Sequence, residues 1–536
     1  MRASATAPRA AAAAPARYAV RLALRPRRSV AVRSSPSFAL PVSAMPGPDD
    51  VLECPDLRDV LTARPSPFVV HNNFGGGFVS DGDRVALSSM RFASGMSAGA
   101  AEKVVADASA AHPGPGVNWM EASLEQLSTP LPPWAIRAGA REVIYHDPKH
   151  VTAAIVTCGG LCPGLNDVVA GLVNKLTDYG VPEGNVLGIR YGFRGFYDKT
   201  HKPIVLTKRS VDGIQLQGGT ILGTSRGGAN IKEIVKRLDM WGVDMLFVVG
   251  GNGGNAGANA IQQKCAESDV ACNVIGVPKS IDNDILLIDK CFGFDTAVEE
   301  SQRALLAAKV EASSARNGIG LVKLMGRQSG FIAVQASMAS GVVDAVLIPE
   351  VPFKIEGPSG LMAYLRSVVD AKGHAVVCLA EGAGQDILDD HSNNGGTDAS
   401  GNPILKDIGL FMRDQFKTHF KDADVKYIDP SYIIRSTSTT PRPAFGPIPT
   451  QLHPPPPWGG GVGGGGAQSA FAFGGGVSSV GGRAAMAGYT GITVGLVNTH
   501  YVYLPIPVII SAPRKVDPRG KAWNRLRASI GQPNFV

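Results

Sequence analysis

The sequence CNVIGVPKSIDND, residues 272–284, joins an apolar run to a cluster of charged side chains. The apolar run 272–277 predicts a buried β-strand that ends where the charges begin. In open α/β sheets, ligands bind outside the carboxyl ends of the strands. Asp282 is therefore a candidate general base for a substrate hydroxyl, and Lys279 is a nearby cation for a phosphate. The alternative is a solvated Asp-Asn-Asp turn, because Asp and Asn are common turn residues.

Short β-branched runs alternate with helical patterns from Glu142 onward. This alternation predicts βαβ units, a mainly parallel sheet and an α/β fold. Strands covered on both faces should be nearly all apolar, and seven runs have that character. The predicted strands are 153–157, 186–189, 245–249, 273–277, 319–324, 345–348 and 375–379. The predicted helices are 166–178, 256–267, 296–315, 332–339 and 360–371.

The positive charge of the chain lies in its first residues. The formal net charge is +7, but residues 1–48 hold eight Arg and no acidic residue, so the remainder carries about −1 (+7 − 8). Binding of nucleic acid requires basic residues clustered on the folded part, so we expect no nucleic-acid partner. The Ala-, Ser- and Arg-rich composition of residues 1–44 predicts a transit peptide for the chloroplast. A mitochondrial presequence is the alternative, and a disordered tail is the third interpretation.

Three other features limit the class of protein. No run of 18 consecutive apolar residues occurs, so we expect neither a transmembrane helix nor a membrane partner. Seven Cys without a CxxC pair argue against a disulfide framework and a zinc site. Cys158 and Cys162 are interpreted as buried thiols, with redox sensitivity as the alternative. Residues 45–141 are predicted to form an irregular N-terminal extension with a little helix.

The segment 436–483 differs in composition from the rest of the chain. Residues 441–482 contain 13 Gly and 8 Pro, which make up half of these 42 positions, and no acidic residue. Such a segment cannot bury enough apolar surface to offset the entropy of ordering, so the sequence predicts disorder. Order is expected to resume in residues 484–536, where 499–510 is predicted to be an extended apolar stretch.

Three glycine-rich loops follow predicted strands or extended runs, at residues 159–164, 218–227 and 250–254. Glycine lets backbone amides approach phosphate oxygens closely, so the three loops together predict a nucleotide or polyphosphate site. None of them is a P-loop or a GxGxxG motif. Arg226 is the only cation within these loops and is assigned to the donor phosphates. The alternative is an exposed Arg at a helix start.

Three further charged side chains follow strands or turns. Arg327, in Met325-Gly326-Arg327, can offer two parallel hydrogen bonds to an anionic substrate. Glu381 supplies a carboxylate suited to sugar hydroxyls, and Arg435 follows a turn at Asp429-Pro430. Each of the three could equally be an ordinary structural residue.

The chain from about Glu142 to Arg435 resembles the phosphofructokinase family, in its plant and algal branch related to pyrophosphate-dependent enzymes. The resemblance rests on the motifs GGLCPGLN, GFRGFY, GGTILGTSRG, GGNG, GVPKSIDNDI, FGFDTAVEE, KLMGRQSGFIA, AEG and DPSYIIR, in the family's order and spacing. It implies two Rossmann-like three-layer α/β/α subdomains with mainly parallel sheets. It also implies a glycolytic homo-oligomer that uses Mg²⁺ and transfers the γ-phosphoryl group of ATP to the 1-hydroxyl of fructose 6-phosphate.

The resemblance also implies roles for individual residues, with Asp282 as the catalytic base. The sugar phosphate would contact Ser280, Ile281, Asp282, Met325, Gly326, Arg327, Glu381, Tyr432, Ile433, Ile434 and Arg435. The nucleotide would contact Gly159, Gly160, Arg226, Gly227, Gly251, Asn252, Gly253 and Gly254. Asn252 and Asp284 would serve the metal.

Two questions have alternative answers: which phosphoryl donor the enzyme uses, and whether the chain is catalytically active. Pyrophosphate-using relatives carry Asp at the position of Gly253, where its charge would exclude the α-phosphate of a nucleotide, so ATP is favoured. Lys279 is shared with the pyrophosphate users, which keeps a pyrophosphate-dependent enzyme as the alternative. After Arg435 the family continues with a polar stretch and a helix ending in AVHGAMAG, whereas residues 436–483 are of low complexity. A catalytically impaired regulatory subunit is therefore a further alternative.

Overall fold

The computed structural model describes residues 47, 49–71, 77–87, 131–389, 404–438 and 470–535. The strands in these ranges are β1 (Val51–Leu52), β2 (Arg64–Pro65), β3 (Arg84–Ala86), β4 (Trp134–Arg137), β5 (Val143–Ile144), β6 (Ala153–Thr157), β7 (Val186–Ile189), β8 (Ile204–Val205), β9 (Met245–Gly250), β10 (Asn273–Pro278), β11 (Gly318–Leu324), β12 (Ala345–Leu347), β13 (His374–Ala380), β14 (Val425–Ile428), β15 (Ile492–Val497) and β16 (His500–Pro505).

The α-helices in the same ranges are α1 (Pro67–His71), α2 (Leu165–Tyr179), α3 (Ile231–Trp241), α4 (Asn252–Glu267), α5 (Phe294–Ser313), α6 (Phe331–Ser340), α7 (Leu361–Lys372), α8 (Gln385–Asp389), α9 (Ile408–His419), α10 (Ile433–Ser436), α11 (Ala470–Met486), α12 (Ile506–Ile509) and α13 (Lys521–Ile530). Short 3-10 helices lie at Arg58–Val60, Pro148–His150, Gly192–Phe196, Arg209–Val211 and Ile214–Leu216.

The larger sheet has the strand order β1-β4-β16-β15-β10-β9-β6-β7-β8, with β3 paired to β4. Its centre, from β15 to β7, is parallel, whereas β16 runs antiparallel to both of its neighbours. Along β6, Ala153 and Ile155 join one apolar cluster, and Ala154 and Val156 join another. Because alternate side chains of a strand point to opposite faces, helices cover this sheet on both sides.

The smaller sheet has the order β12-β13-β11-β14, and all of its strand pairs are parallel. On one face Leu321 packs in a cluster with α7 and α9, and on the other Val322 packs with α5 and α6. A separate antiparallel pair joins β2 to β5. The larger sheet and the smaller sheet each form the middle layer of an α/β/α sandwich. This arrangement confirms the predicted fold class.

The predicted core elements are all present, with ends displaced by no more than four residues. The largest difference is the start of α4, which begins at Asn252 because Gly253 and Gly254 continue the helix into the third glycine-rich loop. The stretch 499–510 is extended only as far as Pro505 and then turns into α12. In the N-terminal extension, the prediction of irregular structure is wrong for the four short strands β1 to β4. Strands β1 and β3 pair with β4, and β2 pairs with β5.

Helix α11 lies where the sequence predicted disorder. Val477 and Val480 are buried, and a β-carbon added to Gly481 would lie 3.8 Å from Leu172 of α2 and 3.9 Å from Ile275 of β10. The apolar face of the helix therefore packs against α2 and β10, and this packing overrides the low helix propensity of glycine. The prediction is wrong for residues 470–483.

The remaining part of the low-complexity segment, residues 439–469, lies outside the described residues, as does the predicted transit peptide 1–44. None of the helices in the described ranges combines the length and apolar character that spanning a membrane requires.

Candidate active site

A cleft of about 550 Å³ lies where loops from the two sheets meet. Its walls come from the loops that follow β6, β9 and β10 of the larger sheet and β11 and β13 of the smaller one. The predicted site residues that line it are Gly159, Gly160, Arg226, Gly227, Gly251, Asn252, Gly253, Gly254, Lys279, Ser280, Ile281, Asp282, Asp284, Met325, Arg327, Glu381 and Arg435. The carboxyl ends of parallel strands thus bring most of the predicted residues together.

Four predicted residues do not line the cleft. Tyr432 and Ile433 are exposed, at 74% and 62%, and Ile434 is completely buried, because the short helix α10 directs only Arg435 toward the cleft. Gly326 lies beneath the wall with a φ of 137°, and a β-carbon there would lie 2.5 Å from the Ser329 carbonyl oxygen. Glycine at this position therefore permits the turn that carries the next residue into the cleft.

Several lining residues were not predicted as site residues. Phe193 belongs to the GFRGFY motif, and its ring sits against Gly257, where an added β-carbon would lie 2.7 Å from the ring. Gln328 follows Arg327 directly in the KLMGRQSGFIA motif, so its place next to a predicted site residue could have indicated it. Ile510 and Pro513 come from the C-terminal part of the chain, and no local pattern marks them.

The loop after β10 is held rigid by Asn283. Its φ is 55°, its Nδ2 donates to the carbonyl oxygen of Asp289 at 3.0 Å, and its Oδ1 accepts from the backbone N–H of Cys291 at 2.8 Å. The Ser329 hydroxyl donates to the carbonyl oxygen of Asp282 at 3.1 Å. The middle residue of the Asp-Asn-Asp sequence is thus structural, and its two flanking carboxylates line the cleft.

The pKa of Asp282 is raised to about 7 by burial first, and then by the neighbouring carboxylates of Asp284 and Glu381. The cations Arg327 and Lys279 act in the opposite direction. Burial also raises the pKa of Glu381. A carboxylate that exchanges its proton near neutral pH suits a general base, because catalysis is most efficient when the pKa lies near the working pH.

Lys279 connects the loops around the cleft. Its side chain is only 6% exposed, and its Nζ donates to the carbonyl oxygen of Gly160 at 2.8 Å. Its backbone N–H donates to the carbonyl oxygen of Gly250 at 3.0 Å. The same residue therefore fixes the first and third glycine-rich loops relative to the strand that carries Asp282.

Two arginines converge on the first glycine-rich loop. A β-carbon added to Gly160 would lie 3.5 Å from Nη1 of Arg435 and 3.8 Å from Nη2 of Arg226. The second loop is tied to the first, because the hydroxyl of Thr224 donates to the carbonyl oxygen of Gly159 at 2.8 Å. The sequence placed Arg435 with the sugar phosphate, whereas the structure also brings it beside a loop assigned to the donor. Two guanidinium groups here can neutralise a phosphoryl group between donor and acceptor.

Asn252 and Asp284 are neighbours in the cleft. Nδ2 of Asn252 donates to Oδ2 of Asp284 at 3.1 Å, and the hydroxyl of Ser280 donates to Oδ1 of Asp284. Oδ1 of Asn252 is buried without a hydrogen-bond partner in the described part of the chain. One carboxylate and one unsatisfied amide oxygen fit Mg²⁺, which takes few protein ligands and completes its shell with water and phosphate.

Gly253 faces open space in the first turn of α4. It is exposed, and a β-carbon added to it would meet no heavy atom within 4 Å. The N–H groups of a helix start favour bound anions, so this turn can receive donor phosphates.

Cys158 also lines the cleft. Its thiol and that of Cys162 are buried, as predicted. Burial raises the pKa of both thiols to about 12, which makes them weak nucleophiles.

Comparison with known proteins identifies relatives over most of the chain. The family model described as Phosphofructokinase matches residues 152–444. The protein named ATP-dependent 6-phosphofructokinase 5, chloroplastic, of Arabidopsis thaliana is 47% identical over 464 residues, which cover 86% of this chain and 76% of the relative. The ATP-dependent 6-phosphofructokinase of Borreliella burgdorferi is 40% identical over 409 residues, covering 74% and 85% of the two chains.

A solved structure shares the fold at lower sequence similarity. The pyrophosphate-dependent phosphofructokinase of Marinobacter aquaeolei superposes with a TM-score of 0.55 at 17% identity, over 72% of this chain and 92% of that one. Its similarity concerns the fold alone. With the family match over more than half of the chain and relatives at 40% and 47% identity, this chain belongs to the phosphofructokinase family.

Proposed function

We propose that this protein transfers the γ-phosphoryl group of ATP to the 1-hydroxyl of fructose 6-phosphate and releases fructose 1,6-bisphosphate and ADP. The observation that carries the proposal is the position of Asp282, a carboxylate with a pKa of about 7 in one cleft with glycine-rich loops and four cationic side chains. The names of relatives at 40% and 47% identity support the same reaction.

Asp282 acts as the general base. In its ionised form the carboxylate accepts the proton of the 1-hydroxyl as that oxygen attacks the γ-phosphorus atom, and ADP leaves with the bridging oxygen. Arg327 offers a fork of N–H donors to the 6-phosphate, and Glu381 accepts hydrogen bonds from sugar hydroxyls. Ser280 donates its hydroxyl to the carboxylate of Asp284 and so orients this second carboxylate of the site.

The donor phosphates are bound mainly by backbone and by charge. The glycine-rich loops and the start of α4 offer N–H groups, while Arg226 and Arg435 neutralise charge that spreads over the transferring group. Asn252 and Asp284 would hold Mg²⁺, which when bound supplies further neutralisation of the phosphate oxygens. Phosphoryl transfer needs little else, because positioning and electrostatic stabilisation account for most of the catalysis.

ATP is the proposed donor, and pyrophosphate is the alternative. The open space around Gly253 supports ATP, since the α-phosphate and the nucleoside need room that a carboxylate would occupy.

The alternative of a catalytically impaired subunit was based on the low complexity of residues 436–483. Helix α11 includes part of this segment and packs against α2 and β10, which weakens that argument.

We also propose a plastid location and a homo-oligomeric state. The composition of residues 1–44 and the chloroplastic relatives from Arabidopsis thaliana support the plastid rather than the mitochondrion. For the assembly, the exposed side chains of Tyr432 and Ile433 beside the cleft are apolar surface that a second copy could cover. Light scattering on the purified chain measures the assembly, and a plastid import assay with isolated organelles measures the location.

The test of the reaction is a product assay on the purified full chain with fructose 6-phosphate and Mg²⁺. Parallel reactions receive ATP or pyrophosphate, and the fructose 1,6-bisphosphate formed is measured. We expect turnover with ATP and little with pyrophosphate. A faster reaction with pyrophosphate would establish the alternative donor, and a folded protein inactive with both donors would support the regulatory subunit.

A further inference from the structure

The segment that follows α12, residues 510–516, contacts elements on both sides of the active-site cleft. We propose that Arg514 in this segment is a positioning residue, whose guanidinium group holds the catalytic loop (residues 282–291) in place against the start of helix α6. Arg514 itself does not line the cleft, so it acts through Asp282 and Asp284 of the loop and not on the substrates. The inference rests on the proposed function, because positioning presupposes the phosphoryl transfer.

The guanidinium group of Arg514 binds the far end of the catalytic loop. Its Nη1 donates to the carbonyl oxygen of Ile288 at 2.7 Å and to that of Asp289 at 2.8 Å. The carbonyl oxygen of Asp289 also accepts a hydrogen bond from Nδ2 of Asn283 at 3.0 Å. Arg514 and Asn283 therefore hold the same carbonyl group, so a displacement of that group is transmitted to the two carboxylates that flank Asn283.

The backbone of the segment holds the near end of the same loop. The backbone N–H of Arg514 donates to the carbonyl oxygen of Asp284 at 2.8 Å, and Pro513 forms an antiparallel β-bridge with Ile285. Between the two ends Leu287 has a φ of 65°, which is unfavourable for a residue with a β-carbon. Such a conformation persists only where the surrounding structure imposes it, and here Arg514 contacts the loop on both sides of Leu287.

The guanidinium group of Arg514 also contacts the side of the cleft that belongs to the smaller sheet. Its Cζ lies 4.7 Å from the centre of the ring of Phe331, the first residue of α6. A guanidinium group is attracted to the face of an aromatic ring at such a distance. Because Phe331 lies four positions after Arg327, one side chain joins the catalytic loop to the turn that carries Arg327 into the cleft.

A second contact of the segment supports the same connection. The carboxylate of Glu350 accepts hydrogen bonds from the backbone N–H of Val516 at 2.7 Å and from that of Gly330 at 3.0 Å. Gly330 immediately precedes α6, so Glu350 ties the start of this helix to the chain two residues after Arg514. The backbone that carries Arg514 is therefore fixed relative to α6 as well as to the catalytic loop.

The burial of Arg514 indicates a demand on geometry more than on stability. A buried charge is expensive to desolvate, and buried ionic groups can often be replaced by apolar ones without loss of stability. Arg514 is only 7% exposed, and two of its hydrogen bonds go to main-chain oxygens of the loop beside the base. We therefore expect its removal to disturb the placement of the loop.

The test measures kcat of Arg514→Met with saturating ATP, Mg²⁺ and fructose 6-phosphate, and the dissociation constant for fructose 6-phosphate by calorimetry. Methionine fills much of the same space but offers no hydrogen-bond donor. We expect kcat to fall about 10²-fold, the loss that a small misplacement of reacting groups can cause. The dissociation constant should stay nearly unchanged, because Arg327 and Glu381 lie on other loops.

Arg141→Met is the matched control. Arg141 is 6% exposed, donates to the carbonyl oxygen of Arg137 at 3.0 Å and does not line the cleft. The folded control should keep its kcat even where its thermal stability falls. An equal loss of kcat in Arg141→Met would attribute the effect to the removal of any buried arginine and would overturn the proposal.

Arg514→Lys and hydrogen exchange keep the test decisive if Arg514→Met does not fold. Lysine keeps the cation, but its side chain is one bond shorter than the path to Nη1 of arginine, so we expect kcat to fall about tenfold. Amide exchange in residues 284–291, measured without Mg²⁺ or substrates, should be faster in the Arg514 variants and unchanged in Arg141→Met. Circular dichroism verifies folding.

The outcomes separate the role of Arg514 from the reaction itself. Normal kcat or unchanged amide exchange in a folded Arg514 variant of an active enzyme overturns the positioning role alone. Absence of turnover in the unmodified chain contradicts the proposed function instead.

Discussion

Replacement of Glu381 by Gln should lower the pH at which Asp282 becomes an active base. The pKa of Asp282 is raised to about 7 partly by the negative charge of Glu381, so removal of that charge makes ionisation of Asp282 easier. With a pKa of about 7, roughly a tenth of the carboxylate is ionised at pH 6 and roughly nine tenths at pH 8. The base must be ionised to accept a proton, so kcat/KM should rise about tenfold between these pH values.

In Glu381→Gln the midpoint of this rise should move down by about one pH unit, the size of shift that a nearby like charge produces. The plateau should also fall, because Glu381 contacts the sugar in the proposed complex. Phosphate esters lose their second proton near pH 6, but no enzyme variant moves that titration, so the difference in midpoint isolates the protein group. The assay is kcat/KM from pH 5.5 to 9 at constant ionic strength, with the exposed Glu267→Gln as the control. A midpoint that stays in place or rises would refute the electrostatic reasoning.

Three further expectations concern the donor, the mouth of the cleft and α11. Gly253→Asp should lower turnover with ATP by about tenfold or more through charge repulsion of the nucleotide phosphates, without loss of folding, because acidic residues suit a helix start. Lys323→Met should raise KM for fructose 6-phosphate about fivefold, since Nζ of Lys323 pairs with Asp429 at 2.8 Å and thereby holds the turn that leads to Arg435. Gly481→Ala should stabilise the protein by about 1 kcal/mol in thermal denaturation, because alanine favours helix and its β-carbon fits at van der Waals distance.

Each expectation has a matched control. Gly253→Ala adds bulk without charge and should retain most activity with ATP; an equal loss in both variants would rule out repulsion. Lys323→Arg keeps the cation and should restore a normal KM, whereas an equal rise would exclude the ion pair as the cause. Gly476→Ala, in the same helix, should not stabilise, because its β-carbon would lie 2.1 Å from the Tyr501 hydroxyl. Equal stabilisation at Gly476 and Gly481 would contradict the packing described for α11.

The position of Asp282 was predictable because it depends on a local rule. An apolar strand ends, charged residues follow, and the carboxyl ends of parallel strands share one edge of the sheet. The role of Asn283 was not predictable, because its partners Asp289 and Cys291 are set by the path of the loop. The position of Arg435 beside Gly160 depends on how the two sheets face each other, and no local pattern contains that information.

The prediction for α11 failed for a related reason. A prediction from composition counts each glycine as a loss of conformational entropy on folding, and residues 436–483 are rich in glycine. Val477 and Val480 of this helix are buried, and at Gly481 the helix lies close to Leu172 and Ile275, so tertiary packing compensates for that cost. The early start of α4 at Asn252 depends on glycine in another way, because a β-carbon on Gly250 would lie 2.8 Å from the backbone of Gly254.

The most direct test of the proposed function is the turnover of Asp282→Asn with saturating ATP and fructose 6-phosphate. The substitution keeps the shape of the side chain and removes its ability to accept a proton at neutral pH. We expect turnover to fall by about 10²–10⁴-fold, the contribution of a positioned general base, while the dissociation constant for fructose 6-phosphate stays nearly unchanged. Near-normal turnover in this variant would contradict the assignment of Asp282 as the base.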